Sequence, residues 1–453
     1  MTALRVAVVG GGLAGITAAL ECADAGADVT LFEARPRLGG ATFSINRDGY
    51  MLDNGQHIAL RCCTEYRRLL VTLGTAQHLE LQPRLRILVL DGSGRRVTFA
   101  RTALPAPLHL AGALLRYGHI SPRERLLAVR AVAALRALDA ADPRLDTMTF
   151  GDWLRARGQS ERAIERLWNL IALPTLNLDA DDASLALATF VFRTGLIDES
   201  DACDLAVPAV PLSQLHGSPA ADALRARGVT IRLRTRVERI RPGTDGLELD
   251  LRDETVHADR VVAAVPHQAA PELLPDGIVT PETAATLGAS PIVNVHLHYD
   301  RRVLDAPLAA AVGSDVQWIF DRTGSASVAD GQLLSISLSA ADAELRLTQA
   351  QLVARSRAAL AAMLPRARGA TLLHSVVTRE PTATFRATPG TAALRPPART
   401  AVPGLALAGA WTDTGWPATM EGAVRSGLAA AAEVLAKPRA RRPVDAVRRE
   451  AAA

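Results

Sequence analysis

Apolar residues recur along this chain at two periods, and the switches between them outline its elements. RVAVVG (Arg5 to Gly10) is short, β-branched and closed by glycine, the pattern of a buried strand. LAGITAALECADAG follows at helical spacing, rich in alanine, and stops at Gly26. DVTLFEA is a second strand, so the chain opens on a βαβ unit. A long helical, arginine-spiked region is predicted from about Leu108 to Leu170, including HLAGALLRY and RERLLAVRAVAALRALDAA. From about Val207 to Val265 the pattern turns to strands. There VTIRLRTRVERIRP alternates like a strand pair, and ADRVVAAVP is a short buried strand ended by Pro266. PIVNVHLHYD (Pro291 to Asp300) alternates at period two and predicts a half-exposed strand, and QWIFDR and LLSISLSA read the same way. A helix (Gln349 to Met363), a strand (Leu372 to Val377) and a final loop and helix complete the pattern, with no internal repeat of useful period.

Composition narrows the class. A chain of 453 residues is too long for one simple core, so two or more domains are expected. It is 49% hydrophobic and 22% charged, yet no apolar run reaches the ~20 residues of a spanning helix. MTALRVAVVGGG enters a strand directly, without a charged leader or cleavage site, which predicts a cytoplasmic protein. Cys22, Cys62, Cys63 and Cys203 form no CxxC, so neither a disulfide framework nor a zinc site is expected. The formal charge of +4 equals the excess in Lys437–Ala453, which holds six basic and two acidic residues. The rest is near neutral, which argues against nucleic acid as a partner. That tail is expected to be disordered and solvated, with contact to anionic lipid as the other reading. Lys437 is the only lysine, so the body before it has neither a Schiff-base nor a general-base lysine.

Gly10-Gly11-Gly12-Leu13-Ala14-Gly15 fits G-x-G-x-x-G, and it follows a strand and opens a helix, as dinucleotide binding requires. Gly10 serves the tight turn, Gly12 the approach of backbone to pyrophosphate, and Gly15 the packing of helix on strand. The helix N-terminus supplies N–H groups to phosphate. Glu33, eighteen residues after Gly15, ends the second strand and suits the ribose hydroxyls; it would repel a 2′-phosphate. A second glycine pair, Gly39-Gly40, follows at once and makes sense for a ligand longer than the minimal unit. No second fingerprint stands in strand context, so a separate NAD(P)H domain is not expected.

EARPRLGG resembles the glycine-doublet motif of the FAD-dependent family of amine oxidases, phytoene desaturases and their relatives. GAWTDTGWPATMEGAVRSG resembles that family's C-terminal FAD motif, and TRVERI the strand that meets the adenine. Carried onto this sequence, the resemblance implies FAD contacts from Gly10, Gly12, Leu13, Ala14 and Gly15, and from Glu33, Ala34 and Arg35. It implies further contacts from Gly39, Gly40, Ala41 and Thr42, from Val237, and from Gly409, Asp413, Thr419, Met420 and Ala423. Asp413 would reach the ribityl or pyrophosphate part. The helix starting near Met420 would point its positive end at the flavin's pyrimidine ring. One position departs from the family: Ala41 stands where arginine often follows the doublet, so that contact is lost or supplied elsewhere. No residue is assigned to a metal.

DNGQHIALRCCTEY, VPLSQLHGSPAADALRARG, SPIVNVHLHYDR, QWIFDR and ATFRATPG are similar, in combination, to one bacterial branch, the squalene-associated hydroxysqualene dehydroxylases of hopanoid synthesis. That resemblance reaches to about Leu435. It implies reduction of hydroxysqualene to squalene with loss of water, using reduced FAD, with an apolar C30 isoprenoid as substrate and an unidentified electron donor. Loss of an allylic hydroxyl needs a polar group at the oxygen and a hydride donor at the carbon. His57, with Gln56, is the candidate to orient or protonate the hydroxyl; the other reading of His57 is a core histidine. The helices of Leu108–Leu138 and LWNLIALPTLNL (Leu167 to Leu178) either line an apolar tunnel or are plain core. LPAPLHLAGALLRY is a candidate for peripheral contact with the inner face of the cytoplasmic membrane.

Three alternatives remain at this stage. An amine oxidase typically places a lysine at the flavin, and only four tyrosines are present to build an aromatic cage. A carotenoid desaturase shares scaffold and substrate class. A non-catalytic isoprenoid-binding protein, as in the Rab GDP-dissociation inhibitors, would not need the intact glycine loop, Glu33 and C-terminal motif. The fold expected is α/β: a discontinuous Rossmann-like FAD-binding domain (1–60, 205–270 and 385–436), with a mixed-sheet substrate domain carrying a helical subdomain (61–204 and 271–384).

Overall fold

The computed structural model describes residues 3–140 and 142–436. The basic tail and Lys437 lie outside the described residues.

Five short parallel strands form the first sheet, in the order Thr230–Leu233, Asp28–Glu33, Arg5–Val9, Arg260–Ala263 and Leu405–Leu407. They come from three distant stretches of the chain. Val6, Val8, Val262 and Ala406 are buried, as parallel strands covered on both faces require. The helices Leu13–Asp24 and Met420–Leu435 pack together over this sheet, so closely that a Cβ on Gly427 would collide with the Ala14 carbonyl oxygen. A three-stranded antiparallel meander, Val237–Gly243, Gly246–Leu251 and Thr255–Ala258, lies between two of the parallel strands in sequence.

A seven-stranded mixed sheet is the second layer system. Its order is Leu372–Thr384, Ser290–Tyr299, Gln332–Ser339, Trp318–Asp321, Leu308–Val312, Arg86–Asp91 and Arg96–Ala100. The pair Leu308–Val312 with Arg86–Asp91 is parallel and the others are antiparallel. On one face Val293, Val295, Leu297 and Tyr299 meet Leu352, Leu360 and Met363 of the helix Gln349–Met363. The other face carries Asn294, His296 and His298 towards the hairpin of Ser44–Arg47 and Tyr50–Asp53, where Tyr50 Oη meets His298 Nδ1 at 2.9 Å.

Two expectations change. The strand Ser290–Tyr299 is buried on both faces instead of half-exposed, because the hairpin covers its polar side. VTIRLRTRVERIRP forms two strands that do not pair with each other: the chain turns at Arg234 (φ +53°), and the halves join different sheets. The region expected to be helical is so, as a series of helices that includes Ala111–Arg116, Pro122–Arg136, Phe150–Arg155 and Asn169–Leu176. Leu170, Leu176 and Leu178 stand in the largest core cluster, with Leu167 and Ile171 at its edge.

Candidate active site

The glycine loop follows from the first strand. Gly15 sits where a side chain would strike the Gly10 carbonyl oxygen, so the helix can begin directly on the turn. Leu13 and Ala14 occupy its first turn, and no side chain caps it. Its leading N–H groups are therefore left to a ligand. Glu33 is buried; its carboxylate accepts from the backbone N–H of Gly11 at 2.7 Å and of Arg35 at 2.7 Å. Each oxygen keeps a lone pair for a ribose hydroxyl.

The glycine doublet folds back onto this loop. The Gly39 N–H donates to the Gly11 carbonyl at 2.8 Å. Gly40 has φ +57°, and a Cβ there would lie 2.7 Å from Gly12 Cα. Thr42 Oγ1 donates to the Gly39 carbonyl, while Ala34, Arg35 and Ala41 are exposed. Near Ala41, the guanidinium of Arg37 donates to the Gly40 carbonyl at 3.0 Å and stacks 3.6 Å over the Phe43 ring. Val237 begins the meander, tethered beside Glu33 by the Thr235 N–H bond to the Glu33 carbonyl.

The C-terminal loop arrives on the same side. Gly409 follows the last parallel strand, and its N–H donates to Ser426 Oγ at 2.8 Å. Thr419 caps the final helix by accepting from the Gly422 N–H, placing Met420 and Ala423 in its first turn against the cluster that holds Leu13 and Ala14. Asp413 is exposed, its carboxylate accepting from the Gly415 N–H at 3.2 Å. Arg395, which sequence reasoning did not single out, is buried and donates to the carbonyls of Trp411, Thr412 and Trp416, fixing the loop. Burial lowers its pKa to about 10.

Between these parts and the second sheet lies the segment Asn54–His57. The Asn54 side chain donates to the Ala41 carbonyl at 2.8 Å and accepts from the Phe43 N–H. The Asn54 carbonyl accepts from Asn294 Nδ2 at 2.9 Å and Thr378 Oγ1 at 3.0 Å. One residue thus ties the glycine doublet to the central sheet. Around it, Gln56 Nε2, Asn294 Oδ1 and His296 Nε2 are buried without a partner. Such atoms cost free energy unless something else bonds them. His57 lines a small pocket with Gln56, Asp53, Arg322, Ile58, Val207, Pro208 and Phe320. Burial lowers the His57 pKa to about 4, against a smaller opposing pull from Asp53, so the ring is neutral near pH 7. His296, bonded through Nδ1 to Ser335 Oγ at 2.7 Å, is held at about 4 by burial. His216 is fully buried beside them, its Nε2 2.8 Å from Tyr66 Oη, and burial with the neighbouring His57 brings it to about 3.

These residues fit FAD: an uncapped helix start, a turn in which Gly10, Gly15 and Gly40 leave no room for a Cβ, an acid at the ribose position, and unpartnered polar atoms further along. The sequence motifs around Asp53, His216, Asn294 and Arg322, distant in the chain, meet here. Their spacing gives no sign of that meeting.

The family described as "Flavin containing amine oxidoreductase" matches residues 13–435. The chain is 32% identical to a hydroxysqualene dehydroxylase of Rhodopseudomonas palustris, over 96% of this chain and 99% of that one. It is 29% identical to one of Sinorhizobium fredii, over 94% and 97%. A zeta-carotene desaturase of Synechocystis is 26% identical over 96% and 97%. Among solved structures, putrescine oxidase bound to putrescine shares the fold, with TM-score 0.73 at 21% identity over 96% of this chain and 100% of that one. The chain belongs to the flavin-containing amine oxidoreductases, FAD-dependent oxidoreductases, and within them to the group of the hydroxysqualene dehydroxylases.

Proposed function

We propose that the protein reduces hydroxysqualene to squalene and water. The relatives carrying that name extend over nearly the whole chain. The observation that carries the reading is this likeness, at 29–32% identity, joined to the FAD cradle described above. Around His57 stand both apolar groups (Ile58, Val207, Pro208, Phe320) and polar ones (Asp53, Gln56, Arg322), the mixture that a hydrocarbon with one hydroxyl calls for. FAD would be held by the Gly10–Gly15 loop, Glu33, the Gly39–Gly40 doublet and the 409–423 segment. Residues 1–60, 205–270 and 385–436 make the cofactor half of this reading, and 61–204 and 271–384 the substrate half.

FAD bound there and reduced would supply the two hydrogens of the overall reaction, in which a C–O bond gives way to a C–H bond and the hydroxyl leaves as water. His57, neutral, offers one ring N–H to the hydroxyl oxygen and orients the C–O bond. Gln56 Nε2 is a second donor. The Asp53–Arg322 pair and the Asn54 bonds hold the segment in place.

Anaerobic reduction of the purified protein's flavin with dithionite, followed by hydroxysqualene, tests the reading. Reoxidation with squalene formed, followed by absorbance and mass, is the expected result. No reoxidation, together with bleaching of the oxidised protein by a carotenoid precursor, overturns it in favour of a desaturase. No helix among the described residues is long and apolar enough to cross a membrane.

A further inference from the structure

Large apolar side chains left exposed are few, and they gather in one place. Of eight among the described residues, five lie between positions 104 and 129: Leu104, Leu108, Leu115, Leu126 and Val129, each about half exposed or more. The chain arranges them as a face. Thr102 bonds to the His109 carbonyl and folds the 103–108 loop over it. The Arg125 guanidinium donates to the Leu115 carbonyl at 2.6 Å, which sets the end of Ala111–Arg116 beside the start of Pro122–Arg136. On that longer helix Arg123, Leu126, Val129, Arg130 and Ala133 are exposed at helical spacing, and Ala128, Ala131 and Leu135 are buried on the opposite side.

The same face is basic. Residues 102–136 contain five arginines and one acid, Glu124, and Glu124 is occupied in the Ser121 capping box. Arg116, Arg123 and Arg130 have no carboxylate partner among the described residues. Apolar side chains ringed by unpaired arginines complement a leaflet of anionic phospholipid, where the leucines enter the acyl boundary and the guanidinium groups meet phosphates. Beneath the face, Leu110 and Leu114 pack against the core cluster that Ile58, Leu60 and Val207 border near His57.

We propose that this face, Leu104–Arg136, docks the protein on an anionic bilayer, the phase in which a hydrocarbon substrate resides. The proposal rests on the isoprenoid reading above. The test uses the full-length, FAD-loaded protein and flotation with phosphatidylcholine vesicles, with or without phosphatidylglycerol. Binding is expected to require phosphatidylglycerol and to weaken with salt. It should fall about five-fold for each arginine removed in R123A and R130A, and ~10-fold or more in L115S/L126S. The basic tail is retained throughout, so the differences report the face alone. The proposal is overturned if the variants float like the wild type, or if neutral vesicles bind equally. It is also overturned if the protein fails to float and L115S/L126S dissociates a dimer seen by light scattering, since a second copy then covers the face. Conversion of detergent-dispersed hydroxysqualene is measured on the same preparations. If conversion persists without flotation, only the docking falls; if conversion is absent, the functional reading falls on its own evidence.

Discussion

Asp53 and Arg322, 269 positions apart, form an ion pair of 2.9 Å, with both side chains under a tenth exposed. Both groups have further partners. Asp53 also accepts from Ser44 Oγ and the Leu212 N–H, and Arg322 donates to the Pro208 carbonyl. The pair joins the hairpin that covers the central sheet to that sheet's own strand end, one turn of chain from His57. Removing one partner strands a buried charge. Asp53→Asn or Arg322→Met is expected to cost about 3–5 kcal/mol in urea unfolding. The double variant should lose less than the sum of the two. Additive losses would mean the pair does not act as a unit.

Gly40 tests the cofactor cradle. Its φ of +57° and the 2.7 Å approach to Gly12 leave no room for a methyl group without moving the loop that receives the pyrophosphate. Gly40→Ala should keep its circular dichroism spectrum and lose about ten-fold or more in FAD affinity. The flavin-to-protein absorbance ratio after dialysis reads this directly. An unchanged ratio would separate the doublet from cofactor binding.

How much of this was legible in the sequence depends on distance along the chain. The Gly10–Gly15 turn and Glu33 work through neighbours within one βαβ unit, so their spacing carries their meaning. Asn294 and His296 alternate with valine in a run that reads as half-exposed. Periodicity separates the two faces of a strand but does not say what lies on each, and the covering hairpin is some 240 residues upstream. The break at Arg234 was hidden for the same reason. Alternation on both sides of it suggested a local pair, whereas Thr230–Leu233 joins Asp28–Glu33, and Val237–Gly243 joins Gly246–Leu251. Arg395 gave no local signal, since its partners are backbone carbonyls sixteen to twenty-one positions away.

Buried neutral histidines make stability sensitive to acid. His216 and His296 are almost fully buried, and burial depresses them from about 6.5 to about 3 and about 4. Below about pH 6.5 the unfolded chain binds protons that the folded chain refuses. Stability is therefore full above that pH and is lost as the pH falls towards 4. Each histidine contributes a slope of up to about 1.4 kcal/mol per pH unit in that window. Urea midpoints should drop between pH 7 and pH 5, and His296→Asn should flatten the dependence. A variant with the same slope as wild type would remove His296 from the account.

His57 is the residue on which chemistry and scaffold readings divide. A histidine held near pKa 4 is not a charged acid at pH 7; it acts as a hydrogen-bond donor. Losing one such bond to a departing hydroxyl costs about 1.4–2.8 kcal/mol, which is about 10- to 100-fold in kcat. His57→Ala should show that loss with FAD still bound. His57→Gln, which keeps a side-chain N–H, should recover part of it. Because the ring is neutral throughout, kcat should show no titration assignable to His57 between pH 6 and pH 8. A core role predicts something else: both variants would lose stability and flavin together, and the protein that remained loaded would turn over at the wild-type rate. Turnover per bound flavin, measured for both variants across that range, distinguishes the two.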